Sequence, residues 1–160
     1  MVIILGIGNR LRGDDGVGSI IAEELKKYER ENFIVYDCET TPENYIEKVI
    51  SGNPRWIIFI DACNFNAPAG TFKIFEETEI SQITSKVIST HTLPITVLIA
   101  LIKRSLPKAR ISLIGVQPKR LNFCNKLSNE LNKTKAKIID FILKNIKNVS
   151  FADETSYKSL

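Results

Sequence analysis

Histidine is nearly missing from this 160-residue chain, with His91 its one instance. A cysteine nucleophile that needed an imidazole base would have to claim that same residue. Cysteine is sparse as well. Cys38, Cys63 and Cys124 are odd in number and show no C-x-x-C spacing, which excludes a disulfide framework and a zinc knuckle. Buried structural thiols in a reducing cytoplasm are the expectation. Long apolar runs are missing too, and none approaches the roughly 18 residues of a membrane span. Met1-Val2-Ile3-Ile4-Leu5 has no basic stretch before it, so it does not read as a signal peptide. Nor is there a strong excess of one charge: 22 Lys+Arg against 18 Asp+Glu give a formal +4. The late lysines, Lys126, Lys133, Lys135, Lys137, Lys144 and Lys147, read as the solvated face of one helix. Nucleic-acid binding would require a denser basic patch with stacking aromatics.

The composition that remains, 44% hydrophobic and 25% charged, is that of one globular domain. Residues 1–147 are expected to form it, with 148–160 a tail that loses periodicity and frays. Val2 to Ile7 is a continuous apolar run of the kind buried on both faces of a parallel sheet. Val17, Ile20, Ile21, Leu25 and Tyr28 follow at helical spacing. Phe33 to Cys38 reads as a second strand. Thr41-Pro42-Glu43-Asn44 opens a second helix, with Thr41 as cap and Pro42 at the first helical position, and Gly52-Asn53-Pro54 ends it. Trp56 to Asp61 is the most apolar strand. Thr71 to Phe75 follows a tight turn and is expected to run antiparallel, because so brief a link cannot make a parallel crossover. Residues 76–90 read as polar and irregular. A helix is expected over Leu93 to Leu106, with Thr92 as cap, then a strand over Arg110 to Val116. An amphipathic helix is expected from Asn125 to about Lys147. The order predicts an α/β/α three-layer sandwich with a mainly parallel five-stranded sheet and one short antiparallel strand.

In such sheets ligands bind beyond the carboxyl ends of the strands, where the strand order reverses. Asp15 follows the first strand and Asp61 ends the third. With the second strand on the far side of the first, these carboxylates would share one crevice. His91, in the loop before the next helix, could close it. The glycines after the first strand invite comparison with a dinucleotide fingerprint. However, Leu11 stands where its third glycine belongs, and Asp14 and Asp15 would repel a phosphate. The ordinary account of these aspartates is a helix cap and dipole partner. That employs one of them and leaves the other. Asp61 could be a strand-end turn former, but a buried carboxylate needs donors or a cation. Gln117 could hydrogen-bond a substrate backbone or simply finish its strand. Arg10 and Arg12 could hold an anionic group or be solvated loop charges.

Gly6-x-Gly8-Asn9-x-x-x-Gly13-Asp14-Asp15-Gly16-x-Gly18 resembles the N-terminal signature of the nickel–iron hydrogenase maturation endopeptidases, and most of all the hydrogenase-3 type. Ile60-Asp61-Ala62, Thr90-His91-x-Leu93-Pro94 and Gly115-Val116-Gln117-Pro118 resemble that family's later motifs, in order, over about residues 1–145. The resemblance implies a phosphorylase/hydrolase-like fold and removal of a C-terminal extension from a hydrogenase large-subunit precursor after nickel insertion. It implies Asp15, Asp61 and His91 as the metal-contacting and catalytic residues, and Asp37 near the substrate. The nickel would arrive with the precursor, so the free enzyme can be apo. Carboxylates and imidazole suit nickel without the thiolates that seize zinc or copper. Cleavage could use the metal to polarise the carbonyl or activate water, or an aspartate as general base. The partner implied is the precursor, with no nucleic acid and no membrane, and a monomer is expected. Two other readings use the same three residues: a hydrolase that keeps its own ion, and a non-enzymatic nickel-binding or metallochaperone module.

Overall fold

Val2–Ile7 forms the first strand, β1, and every one of its residues is buried. In the computed structural model the described residues are 1–83 and 93–155, the side chains of 83 and 147–155 excepted. The other strands are β2 (Phe33–Glu39), β3 (Trp56–Ala62), β4 (Phe72–Glu76) and β5 (Arg110–Val116). They form one five-stranded sheet in the order β2-β1-β3-β5-β4. All pairs are parallel except β4 with β5, which is antiparallel. The short turn between β3 and β4 forces that direction, as expected from its length.

Strand periodicity divides the apolar side chains between two faces. Val2, Ile4, Ile58, Ile60 and Ile114 point to one core and Ile3, Leu5, Ile57, Phe59 and Leu113 to the other. Helices α1 (Val17–Leu25) and α5 (Asn129–Thr155) cover the first face through Ile21, Leu25, Leu131, Ile138 and Ile142. Helices α2 (Ile46–Gly52), α3 (Glu77–Ile83) and α4 (Ile95–Ser105) cover the second through Val49, Ile80, Leu98 and Ile102. The three layers of the expected sandwich are therefore present. Among the described residues no helix is long and apolar enough to cross a membrane.

Four elements differ from the sequence reading. Helix α4 starts at Ile95 rather than Leu93, with Pro94 in the cap position; Thr92, the expected cap, lies outside the described residues. Residues 77–83, expected to be irregular, form α3. Buried Ile80 anchors it, and the Glu79 carboxylate accepts the Glu76 N–H at 3.0 Å. The last helix starts at Asn129 rather than Asn125, because Ser128 caps it: Ser128 Oγ accepts the Leu131 N–H at 3.4 Å. That helix also runs on to Thr155, past the expected end near Lys147. Pro42–Tyr45 is a 3-10 turn leading into α2, and Thr41 makes no side-chain cap there.

The reversal in strand order lies between β1 and β3. Chain leaves β1 towards β2 on one side, and later leaves β3 towards β5 on the other. Helix α1 begins directly on this switch point. A Cβ placed on Gly18 would stand 2.2 Å from the Ile7 carbonyl oxygen and 2.1 Å from that of Ile60, the last stretches of β1 and β3. Only glycine permits that approach.

Candidate functional site

Asp15 and Asp61 come to this switch point from different elements. Asp15 lies in the 3-10 turn Gly13–Gly16 that links β1 to α1, and is 5% exposed. Gly8, at φ +148°, turns the chain beneath it. A Cβ on Gly8 would sit 1.9 Å from the Asp15 carbonyl oxygen, so the motif glycine is what lets the turn fold back on the strand end. The Asn9 N–H donates to Asp15 Oδ2 at 3.1 Å and fixes the carboxylate. Asp61 lies within β3, opposite Gly115 of β5, and is 8% exposed. Its Oδ1 accepts the Ala62 N–H at 2.8 Å. Both side chains thus hold their orientation through a neighbouring backbone amide. His91 lies outside the described residues. Among the described residues, no group of three His, Cys, Asp or Glu side chains forms a metal-binding cluster. Two largely dehydrated carboxylates are a hard donor pair, and a divalent cation is the kind of partner that offsets the cost of their burial.

Asp14 corrects the expectation of a helix cap. The residue before α1 is Gly16, and no side chain caps that helix. Asp14 is fully buried and reaches instead across to the segment after β5. Its Oδ2 accepts Lys119 N–H at 2.8 Å, Arg120 N–H at 3.1 Å and Ser128 Oγ–H at 2.9 Å, and its Oδ1 accepts Ser128 N–H at 2.7 Å. The carboxylate therefore ties the turn that carries Asp15 to the start of α5.

Asp37, at the end of β2, is engaged by Arg10. Arg10 Nη2 donates to Asp37 Oδ2 at 2.7 Å, and Ser19 Oγ donates to Asp37 Oδ1 at 2.7 Å. Arg10 Nη1 also meets Glu23 at 2.7 Å, and its Nε donates to Ser19 Oγ at 2.7 Å. Arg10, for which the sequence left open an anion-holding role or a solvated loop charge, is held in place by β2 and α1 together. A cavity of about 260 Å3 opens beside it, lined by Gly8, Asn9, Arg10, Leu11, Glu39 and Thr40. Gln117 finishes its strand and shapes the neighbouring loop. Its Oε1 accepts Phe65 N–H at 2.9 Å and Ala67 N–H at 3.3 Å, while Nε2 donates to Asn64 at 3.2 Å.

The thiols near the crevice are structural. Cys38 and Cys63 are buried, and burial together with a nearby aspartate (Asp37 and Asp61 respectively) pushes both well above the ordinary thiol range. Neither is a thiolate at neutral pH. The sequence reading missed Asn9 as the amide that orients Asp15 and Ser128 as the partner of Asp14. The first was signalled by its place beside Gly8. The second, 114 residues away in the chain, carried no local signal.

The profile of the hydrogenase maturation protease family matches residues 20–145. A putative hydrogenase maturation protease of Methanocaldococcus jannaschii is 30% identical over 159 residues, covering 94% of this chain and 91% of that protein. The hydrogenase 3 maturation protease of Escherichia coli K12 is 27% identical over 121 residues, covering 76% and 75%. Among solved structures, a NiFe hydrogenase maturation protease, HycI, from Thermococcus kodakarensis KOD1 is 29% identical with a TM-score of 0.78, covering 91% of this chain and 92% of that one. The E. coli hydrogenase maturating endopeptidase HybD is 22% identical with a TM-score of 0.81 over 92% and 93%, a likeness of fold.

Proposed function

Because the chain belongs to the hydrogenase maturation protease family, we propose that it removes the C-terminal extension of a nickel–iron hydrogenase large-subunit precursor once nickel is in place. Its activity is that of a maturation endopeptidase. The finer reading concerns how the precursor is recognised. Asp15, Asp61 and His91 contact the nickel, which belongs to the substrate, so its presence reports that insertion is complete. Three protein ligands leave positions for the precursor's own ligands, and carboxylate with imidazole suits nickel at modest affinity. Asp37 acts on the substrate indirectly, by fixing Arg10 at the mouth. Gln117 acts by shaping the 64–67 loop at the same mouth. The reaction takes place in the cytoplasm, in keeping with three cysteines that form no disulfide.

The observation that supports this reading is the seat of Asp15 and Asp61 at the two strand ends flanking the switch point, with α1 pressed against both through Gly18. The test is the intact mass of a co-expressed large-subunit precursor, with and without nickel. Cleavage is expected only in the nickel-loaded sample. Asp61→Asn removes one anionic ligand and is expected to lower the rate by at least about 100-fold. Processing of the nickel-loaded precursor by Asp61→Asn at the wild-type rate would sink the assignment. A stoichiometric ion in the purified enzyme, with cleavage independent of precursor nickel, would instead favour a hydrolase with its own metal.

A further inference from the structure

Two loops beside the site form a small lip. Cys124 N–H donates to the Leu11 carbonyl at 2.9 Å, Gly13 N–H donates to the Cys124 carbonyl at 2.6 Å, and Arg12 pairs with Cys124 as a parallel bridge. The lip is tied to the site, because the Asp14 carboxylate holds the amides of Lys119 and Arg120, and Asp14 N–H donates to the Arg120 carbonyl at 3.1 Å. At its crest Phe123 is 85% exposed and Leu11 56%. Leu11 also walls the cavity beside Arg10.

The charges carried by the two loop segments of this crest all have one sign, although Glu39 lines the cavity that Leu11 walls. Residues 9–13 and 118–128 contain five cations, Arg10, Arg12, Lys119, Arg120 and Lys126, and no Asp or Glu. Arg10 is neutralised by Glu23 and Asp37, and Lys119 by Glu130. Among the described residues, Arg12, Arg120 and Lys126 make no ion pair. An exposed aromatic beside unpaired cations is a recognition surface for an apolar segment flanked by acids.

We infer that this lip docks an acidic, apolar-anchored segment of the hydrogenase precursor and so delivers its cleavage site to the crevice. The inference rests on the reading under Proposed function and adds the surface that would recognise the polypeptide, separate from its metal. Charge complementarity argues for this occupant. So does continuity: Arg12 lies three residues before Asp15 on one rigid turn.

The experiment is steady-state cleavage of purified nickel-loaded precursor by wild type, Phe123→Ser and Arg12→Glu/Arg120→Glu, at low and high salt. Phe123→Ser is expected to raise KM about 10-fold, the loss of a central aromatic anchor. The charge reversal is expected to raise KM at low salt and to abolish the wild-type rise of KM with salt. Thermal melting controls for folding, and is expected to shift little because Phe123 and Arg120 are exposed and Arg12 is only half-buried. KM within twofold of wild type for both variants, with the salt response retained, overturns the inference. So does a wild-type dimer that these variants dissociate while KM stays the same, since the lip would then join two copies of this chain. Failure of wild type to cut the nickel-loaded precursor overturns instead the reading on which it rests.

Discussion

Replacing Asp14 by alanine strands four donors at once. Two of them, the Ser128 N–H and Oγ–H, are buried, while the amides of Lys119 and Arg120 are partly buried and can recruit water. A buried donor left without an acceptor costs about 1–3 kcal/mol. Ser128 Oγ can rotate to soften its share, and loss of a carboxylate at the start of α5 adds about 0.3–1 kcal/mol. The sum is about 3–4 kcal/mol, a large part of the stability of a domain this size. At roughly 2–4 °C per kcal/mol, the melting temperature falls by about 10 °C. Asp14→Asn keeps the shape but turns an amide N–H2 towards donors, and is expected to cost about 2 kcal/mol. Urea titration followed through the fluorescence of Trp56, the chain's one tryptophan and a buried one, measures both variants. Asp14→Ala within about 1 kcal/mol of wild type would refute the claim that this carboxylate clamps the loop.

Gly18→Ala drives a methyl into the carbonyls of Ile7 and Ile60, at 2.2 and 2.1 Å, so it is expected to cost more than about 3 kcal/mol. Soluble protein with an unchanged melting curve would contradict the close approach. The raised thiols of Cys38 and Cys63 make folding favour the protonated form. Their contribution is complete below the ordinary thiol value of 9.0 and is lost as pH rises from there towards the folded values. Stability is therefore expected to fall above pH 9 by up to about 1.4 kcal/mol per pH unit per thiol. Cys63→Ala should flatten that slope, and an equal slope in the variant would count against the assignment. In the native protein at pH 8, iodoacetamide is expected to label Cys124, which is partly exposed, well before Cys38 or Cys63, as peptide mass mapping would show.

The centre of the sheet was readable because β1 and β3 are buried on both faces. Val2–Ile7 falls where an uninterrupted apolar run predicts it, and Arg110–Val116, interrupted by Arg110 and Ser112, matches its expected bounds. The neighbourhood of β1 and β3 followed from placing β2 outside β1. What was not readable depends on distant partners. Residues 77–83 carry mostly polar side chains and look irregular, yet one buried isoleucine and the Glu79 bond to Glu76 make a helix of them. The start of α5 moved from Asn125 to Asn129 because Ser128 is fixed by Asp14 from the other end of the chain. The pattern Gly13-Asp14-Asp15-Gly16 suggested a local cap, but the 3-10 turn Gly13–Gly16 runs straight into α1 and its carbonyls take the first amides, as the Asp14 carbonyl takes the Val17 N–H, so the Asp14 carboxylate is left for the loop after β5. The role of Arg10 stayed open since its three acidic and hydroxyl partners, Glu23, Asp37 and Ser19, lie on two other elements.

The parallel pairing of β1 with β3 sets neighbouring strands about 4.8 Å apart. One carboxylate belongs to β3 itself, and the other to a turn locked down on the ends of both strands. The gap between them is thus inherited from sheet geometry, as the jaws of a caliper take their opening from the frame. Insertions in the outer loops can therefore change the surface around the two carboxylates while leaving the frame that spaces them as it was.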